Sequence, residues 1–219
     1  MSLRACAALL LVLAAIGGAK AQENGSGRNV PGQFDFYVLS LSWSPSYCAT
    51  RDKPDGLQCG GPRPYAFVVH GLWPQYERGY PDSCARPAPR LRPDQVRGML
   101  DLMPSPGLVT HEWAKHGTCS GLSATAYFDL VRAARARVVI PQSYVDPTDY
   151  RMVSAAEVET AFQMANPGLA SDMIAVDCDR TRLREVRVCL TKDLAFRACP
   201  QVNAASCPAG RRLAVPPLR

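Results

Sequence analysis

The three histidines of the chain lie in two short motifs whose residue types suit acid–base chemistry. His70 lies in F-V-V-H-G-L-W-P-Q, from Phe67 to Gln75, and His111 and His116 lie in H-E-W-A-K-H-G-T-C. Histidine has an unperturbed pKa of about 6.5, so it can give and take protons near neutral pH. Because two of the histidines stand beside a glutamate and a lysine, the pattern predicts proton transfer on an anionic substrate.

The second motif acquires a defined geometry when it is placed on a helix. At about 100° per residue, Glu112 and His116 share one face, and His111 and Lys115 lie on an adjacent strip. We expect the carboxylate of Glu112 to orient the His116 imidazole and raise its pKa, and the Lys115 ammonium to meet a negative phosphate oxygen. Trp113 points elsewhere on this helix, into the core.

A zinc site is a more distant alternative for this motif. The zinc protease signature H-E-x-x-H places two histidines four residues apart, where they can bind one metal. Here His111 and His116 are separated by one residue more, which puts the two imidazoles about 140° apart around the helix. The sequence also contains no C-x-x-C pair. We therefore expect no metal site and no cofactor.

The elements around the motifs follow from local signals. Residues 66–69 predict a short buried strand that ends at His70, where a sheet would fix the backbone of a catalytic side chain. Thr110 is the expected N-cap of the second motif's helix, and Gly117 the expected left-handed residue at its end. Apolar periodicity predicts helices at 94–103, 124–139 and 154–166, the last opened by a capping box at Ser154. Alternation predicts strands at 34–43, 172–179 and 184–191, with Arg184 and Arg187 pointing outward. Residues 44–64 are rich in Pro, Gly and Cys and predict a loop.

The N-terminal segment and the cysteines of the chain predict an exported protein. Residues 1–21 combine a basic Arg4, a short apolar run and a small-x-small cleavage pattern, which together are typical of a signal peptide. Residues 22–219 then form a single domain. Eight cysteines remain after Cys6, and an even count in an exported chain indicates disulfides. The net charge of +6 would suit a polyanion but is weak evidence alone. The localisation expected is secreted or periplasmic, with no membrane association after signal cleavage.

The two motifs together resemble the paired active-site sequences of the T2-type ribonuclease family. H-G-L-W-P resembles the first segment and H-E-W-x-K-H-G-T-C the second. The likeness extends to L-S-W-S-P-S-Y-C at 41–48 and to E-V-R-V-C at 185–189, so nearly all of residues 22–219 is covered. It implies an α+β fold with a mainly antiparallel central sheet flanked by helices and held by disulfides, with which the predicted strands and helices agree.

The resemblance also implies a reaction and roles for four residues. In this family the ribose 2′-hydroxyl attacks the adjacent phosphorus and expels the 5′-oxygen, leaving a 2′,3′-cyclic phosphate without a metal. His116 resembles the general base and His70 the general acid, while Glu112 and Lys115 resemble the pair that assists the histidine and stabilises the transition state.

Further residues are assigned a binding role by the same resemblance. His111 resembles a phosphate-binding histidine, Trp73 the tryptophan that stacks on a base, and Tyr80 a second aromatic wall. Gln75 stands where some members carry aspartate, and its amide can donate or accept, so broad base specificity is expected. The partner is RNA rather than DNA, and the protein is expected to be a monomer. The disulfides implied are Cys84–Cys119, Cys178–Cys207 and Cys189–Cys199, with Cys48–Cys59 inferred mainly from proximity.

A non-catalytic member of the same fold, which binds RNA or a protein partner, is the second function class. The two classes differ in whether the acid–base residues are retained. His70, Glu112, Lys115 and His116 are all present, which favours the enzyme.

Overall fold

The structure is a computed structural model that describes residues 29–50, 52, 55–62 and 64–218. The strands are β1 (Phe36–Trp43), β2 (Phe67–Gln75), β3 (Arg151–Ser154), β4 (Ile174–Cys178), β5 (Leu183–Leu190) and β6 (Arg212–Val215). The α-helices are α1 (Ser44–Ala49), α2 (Gly56–Cys59), α3 (Pro93–Arg97), α4 (Pro106–Lys115), α5 (Ala124–Arg137), α6 (Ala155–Ala165) and α7 (Pro200–Ala204).

The central sheet has four strands in the order β2-β1-β5-β4, and β3 pairs with β6 in a separate ribbon. Each pair of neighbouring strands is antiparallel. Helices α4 and α5 pack on β2, and α6 packs on β4. The α+β class and the mainly antiparallel sheet flanked by helices are therefore confirmed.

The main core lies on one face of this sheet because alternate residues of its strands are apolar. Leu39 and Leu41 of β1 and Val186 and Val188 of β5 are fully buried there. The helices complete the core with buried apolar side chains that include Val109, Trp113, Tyr127, Val131 and Phe162. Burying an aliphatic or aromatic side chain of this size contributes about 1.5–3 kcal/mol, so this face fixes the sheet against the helices. Trp113 lies in the core, as predicted.

Several boundaries differ from those predicted. Strand β2 continues five residues beyond His70, to Gln75, because the segment pairs with β1 on both sides of His70. Helix α4 begins earlier than expected: the Ser105 hydroxyl accepts from the backbone N–H of Leu108, and Thr110 lies inside the helix, where its hydroxyl donates to a backbone carbonyl. Serine is a better N-cap than threonine, and Pro106 at the first helical position also favours the earlier start.

Three more boundaries were wrong in extent. The loop predicted at 44–64 contains the short helices α1 and α2, and the helix predicted at 94–103 is limited to α3. The strand predicted at 172–179 begins with a 3-10 turn at Ser171–Met173 and only then becomes β4. The capping box at Ser154 is confirmed: its hydroxyl accepts from the N–H of Glu157, whose carboxylate accepts from the N–H of Ser154.

The structure forms the four expected disulfides, Cys48–Cys59, Cys84–Cys119, Cys178–Cys207 and Cys189–Cys199. Among the described residues, no helix combines the length and apolarity needed to cross a membrane. The signal peptide predicted at residues 1–21 lies outside the described residues and stays a prediction.

Candidate active site

The face of the sheet turned away from the main core carries polar side chains. On β1, Ser40 and Ser42 alternate with the core residues, and both are opposite residues of β5: Ser40 pairs with Arg187 and Ser42 with Glu185. Directly opposite residues of an antiparallel pair point to the same side of the sheet. These four side chains therefore share one face and form the base of a site.

A β-bulge turns His70 toward this polar face. Ser40 pairs with Gly71 while the next residue of β1 pairs with Val69, so His70 is an extra residue with no partner on β1. A bulge breaks the strict alternation of a strand and redirects a side chain, which is why bulges are frequent beside active sites. His70 and Trp73 thus both reach the same side of β2.

Gly71 makes room for a carboxylate beneath this bulge. A Cβ atom at position 71 would overlap the Oε2 atom of Glu112 and the Nε1 atom of Trp73. Only glycine lets the backbone approach the two groups this closely. The glycine between His70 and Trp73 is therefore a packing requirement of the site.

Helix α4 brings the second motif to the sheet because its other face is anchored in the core. Val109 and Trp113 are buried, and the Trp113 indole N–H donates to the carbonyl of Pro89 at 2.8 Å. This orientation leaves Glu112, which is 1% exposed, against β2. His116 is the C-cap residue of the helix, and its ring is buried as well.

The C-terminal end of helix α4 differs from the prediction. Gly117 opens a 3-10 turn at Gly117–Ser120, and the residue with left-handed backbone, φ +76°, is Gly121. Gly117 is needed for close packing instead, because a Cβ there would overlap Trp113 and crowd Tyr127. The disulfide to Cys119 joins this turn to the loop that follows β2.

One cleft of about 500 Å³ collects all the site residues predicted from the sequence. These residues are His70, Trp73, Gln75, Tyr80, His111, Glu112, Lys115 and His116. The Trp73 ring lies close to both His70 and the buried His116: its centroid is 5.2 Å from that of His70 and 5.4 Å from that of His116. The two motifs are thus brought together around a single tryptophan.

Glu112 contacts the first motif rather than His116. Its Oε2 atom accepts the Trp73 indole N–H at 2.7 Å, and its Oε1 atom lies 3.6 Å from Nε2 of His70. The expected pairing of Glu112 with His116 is wrong. Two residues on one helix face need not contact each other, and Glu112 instead contacts residues of β2. Burial raises the pKa of Glu112 to about 7, although His70, Trp73 and Lys115 oppose the shift.

His116 is held in its neutral form, contrary to the expectation that its pKa would be raised. Burial, followed by the positive charges of Lys115, His111 and His70, lowers the pKa of His116 to about 3. Its Nδ1 atom is buried and makes no hydrogen bond within the described part of the chain. A buried imidazole with only cationic neighbours resists protonation.

His70 has the opposite electrostatic environment. Burial lowers the pKa of His70, but the hydrogen bond and charge of Glu185, with the charge of Glu112, outweigh it and raise the pKa above the usual value. The Nδ1 atom of His70 lies 2.5 Å from Oε1 of Glu185. The site therefore holds one histidine that favours the proton and one that rejects it.

Glu185 and Arg187 were missed by the sequence reasoning. Arg187 was expected to point outward together with Arg184, but its guanidinium bonds the buried carboxylate of Glu185, whereas Arg184 stays exposed. Arg187 lines the cleft, with its guanidinium 5.5 Å from the centroid of Trp73. An acidic residue in the middle of a buried strand was the signal that could have identified Glu185.

The outer part of the cleft is formed by more exposed residues. Tyr80 is 52% exposed, its ring lies 6.3 Å from that of His116, and Nζ of Lys115 lies 6.0 Å from its centroid. Gln75 is buried in the wall, and His111 is exposed at the rim. Helix α7 closes the far side, where Gln201 accepts the backbone N–H of Gly79 at 2.6 Å.

Comparisons with known proteins identify the family of the chain. The family model for the ribonuclease T2 family matches residues 34–199. A ribonuclease of Aeromonas hydrophila is 50% identical over 104 residues, a stretch that covers 48% of this chain and 46% of that protein. Ribonuclease DdI of Dictyostelium discoideum is 28% identical over 94% of this chain and 96% of its own length. The crystal structure of RNase NT in complex with 5′-AMP superposes with a TM-score of 0.65 and 25% identity, covering 84% of this chain and 98% of that one.

The class that the fold and site define is that of endoribonucleases. The chain belongs to the ribonuclease T2 family, as its two motifs predicted.

Proposed function

We propose that the protein cleaves single-stranded RNA by metal-independent transphosphorylation, with His116 as general base and His70 as general acid. The observation that carries this proposal is the placement of the two histidines next to Trp73 in one cleft, with pKa values displaced in opposite directions. An acid and a base that act in the same step must start in opposite protonation states, and their environments supply that difference.

The first half of the reaction needs a base at the ribose 2′-hydroxyl. Because the pKa of His116 is lowered to about 3, its imidazole is neutral throughout the physiological range and can accept the proton. The 2′-oxygen then attacks the adjacent phosphorus. No metal is needed to generate this nucleophile, because it belongs to the substrate and is already next to the phosphorus.

The second half needs an acid at the leaving 5′-oxygen. His70 carries the proton, since its pKa is raised, and its side chain is 35% exposed toward the cleft. As the bond from phosphorus to the 5′-oxygen breaks, the proton of His70 moves to that oxygen. The products are a 2′,3′-cyclic phosphate and a free 5′-hydroxyl.

The crowded phosphorus between these steps carries extra negative charge. Lys115 supplies a cation at the cleft, and His111 supplies a further donor at the rim. Glu112 contributes as a neutral acid: with a pKa of about 7 its carboxyl keeps the proton at mildly acidic pH. A neutral carboxyl does not repel the phosphate and can donate a hydrogen bond to it.

The base next to the scissile phosphate is expected to stack on Trp73, with Tyr80 as the outer wall. Stacking of one base on an aromatic side chain contributes about 1–3 kcal/mol and accepts any base. The amide of Gln75 can donate or accept, which supports broad specificity. The complex of RNase NT with 5′-AMP supports nucleotide binding in this fold.

The remaining assignments belong to the same proposal. Residues 22–219 act as a single-domain monomer. The protein is secreted or periplasmic, and the four disulfides support this localisation. DNA is not a substrate, because it lacks the 2′-hydroxyl that attacks.

The test is the variant His116→Phe, which keeps an aromatic ring and removes the base. We expect cleavage of a single-stranded RNA oligonucleotide to fall by about 10²–10⁴-fold, which is the usual contribution of a general base. Circular dichroism and the thermal unfolding midpoint should stay near those of the wild type. Cleavage by the wild type should be insensitive to EDTA, and a DNA oligonucleotide of the same sequence should stay intact. Retention of near wild-type activity by the variant would overturn the assignment.

A further inference from the structure

Glu185 is a buried carboxylate beside the site that the mechanism above does not use. It is 4% exposed and lies behind His70 rather than on the wall of the cleft. Strand β5 supplies it, and its Oε1 atom lies 2.5 Å from Nδ1 of His70. The Nε2 atom of the same ring lies on the cleft side, 3.6 Å from Glu112. The imidazole is therefore held by a carboxylate at the nitrogen that faces away from the substrate.

The oxygens of Glu185 are fixed by further donors. Oε2 accepts from the hydroxyl of Ser40 at 3.1 Å and from Nη2 and Nε of Arg187 at 2.8 and 3.1 Å. Oε1 accepts from the hydroxyl of Ser42 at 3.3 Å. A buried carboxylate whose lone pairs are filled in this way stays ionised and keeps one orientation.

The need for such an anchor follows from the bulge in β2. As the extra residue of the bulge, His70 has no partner on β1 that would restrict its backbone. Its ring would be free to turn about the Cα–Cβ bond without a contact on the sheet side. The bond to Glu185 supplies that contact from a strand that is two places away in the sheet.

We propose that Glu185 is the positioning residue of His70, and that it holds Nδ1–H so that Nε2 presents its proton to the leaving 5′-oxygen. The inference rests on the proposed function. In the step, the bond from phosphorus to the 5′-oxygen breaks, its electron pair stays on that oxygen, and the Nε2 proton moves to it. The Nδ1 proton remains on the imidazole, and Glu185 remains a carboxylate throughout.

The charged and titratable groups around His70 set the direction of each test. On the cleft side they are Arg187 on β5, Tyr80, and His111, Glu112, Lys115 and His116 on or next to α4. On the other side they are Glu185 and Arg184 on β5, Tyr47 on α1, and Asp179. Glu185 raises the pKa of His70, Glu112 does so where its carboxyl is ionised, and Arg187 lowers it. Removing Glu185 and removing Arg187 must therefore move the titration of His70 in opposite directions.

The first measurement is the titration of the His70 ring by NMR and the alkaline limb of the kcat/KM profile. In Glu185→Gln, both should move to lower pH, because the amide carries no charge and cannot favour the protonated ring. In Arg187→Met, the titration of the His70 ring should move to higher pH. Glu159→Gln, which removes a carboxylate that accepts from Ser206 away from the cleft, is the matched control and should move neither.

The second measurement separates positioning of the acid from general damage. One substrate is a dinucleoside phosphate, whose leaving oxygen needs a proton. The other is a nucleoside 3′-phosphate ester of p-nitrophenol, whose leaving phenolate does not. Glu185→Gln should lower kcat on the dinucleoside phosphate by about 10- to 100-fold with little change in KM, since Glu185 does not line the cleft. On the nitrophenyl ester, the loss should be less than about threefold.

Each outcome decides the proposal. An equal loss on both substrates would make Glu185 a structural residue, and no loss on either would remove its role. A His70 titration that is unchanged in Glu185→Gln would also overturn it. If that variant does not fold, Arg187→Met and Glu185→Asp, which shortens the side chain but keeps its charge, give the same comparison. Failure of the proposed function is distinct, because the wild type itself would then fail to form a cyclic phosphate from either substrate.

Discussion

The electrostatics of His116 make a quantitative prediction about pH. The profile of kcat/KM reports ionisations of the free enzyme. If His116 is the base, the acid limb of that profile lies near its pKa of about 3. An ordinary histidine, with a pKa of about 6.5, would be neutral in roughly 1% of molecules at pH 4.5, whereas a pKa of about 3 leaves roughly 97% neutral. Between pH 5.5 and 4.5, an ordinary histidine would lower kcat/KM about ninefold. We expect less than about a twofold change over this interval.

The alkaline side of the same profile has two contributors. The carboxyl of Glu112 ionises near its pKa of about 7, and His70 loses its proton above the usual histidine range. Both changes remove a proton that the transition state uses, so kcat/KM should decline as the pH rises above about 7. The assay is cleavage of a fluorogenic ribonucleotide substrate below KM from pH 3 to 9, with recovery of activity after each incubation as the control for unfolding.

The cause of the shift can be tested in the same assay. After burial, the charge of Lys115 is the largest influence that lowers the pKa of His116. Lys115→Met should therefore move the acid limb to higher pH, in addition to lowering the rate at every pH. Lys192→Met, which removes an exposed lysine outside the cleft, should leave the limb where it is. An acid limb near pH 6.5 in the wild type would refute the assignment of a neutral, buried base. An acid limb near pH 7 that disappears in Glu112→Gln would assign the role of base to the carboxylate of Glu112 instead.

Further predictions concern the packing around the site. Gly71→Ala should lower the free energy of unfolding in urea by about 1–3 kcal/mol and remove most activity, because its methyl group overlaps a buried carboxyl. The control is Gly107→Ala on α4, where a Cβ meets only ordinary contacts. Trp73→Ala should weaken binding of 5′-AMP by about 5- to 150-fold in calorimetric titration, the equivalent of about 1–3 kcal/mol of stacking. Replacing Cys84 and Cys119 by serine should lower the free energy of unfolding by about 4 kcal/mol, as expected for a closed loop of 35 residues. An unchanged urea midpoint would contradict the predicted loss of stability.

The parts of the site that could be predicted are those that depend on local spacing. His111, Glu112, Lys115 and His116 lie within two turns of one helix, so their proximity is a consequence of helical geometry. That the first motif joins them in one cleft could not be derived from periodicity and rested on the family resemblance. The structure brings the eight predicted residues to a single cleft.

The parts that could not be predicted depend on contacts between distant segments. Glu185 reaches His70 across 115 positions of the chain, and no local pattern encodes that contact. The β-bulge at His70 is equally invisible, since its only sequence sign is the glycine that follows. The direction of the His116 pKa shift was wrong for the same reason: helix geometry paired it with Glu112, but the sheet turned that carboxylate toward Trp73.

The measurement that tests the central claim most directly is the product analysis of a matched pair of dinucleoside phosphates. One carries a free 2′-hydroxyl at the scissile ribose and the other a 2′-O-methyl group, and products are identified by phosphorus NMR and mass spectrometry. Two histidines that flank one phosphodiester predict a 2′,3′-cyclic phosphate and a 5′-hydroxyl from the first compound and no cleavage of the second. A 5′-phosphate terminus, or cleavage of the methylated compound, would contradict the account.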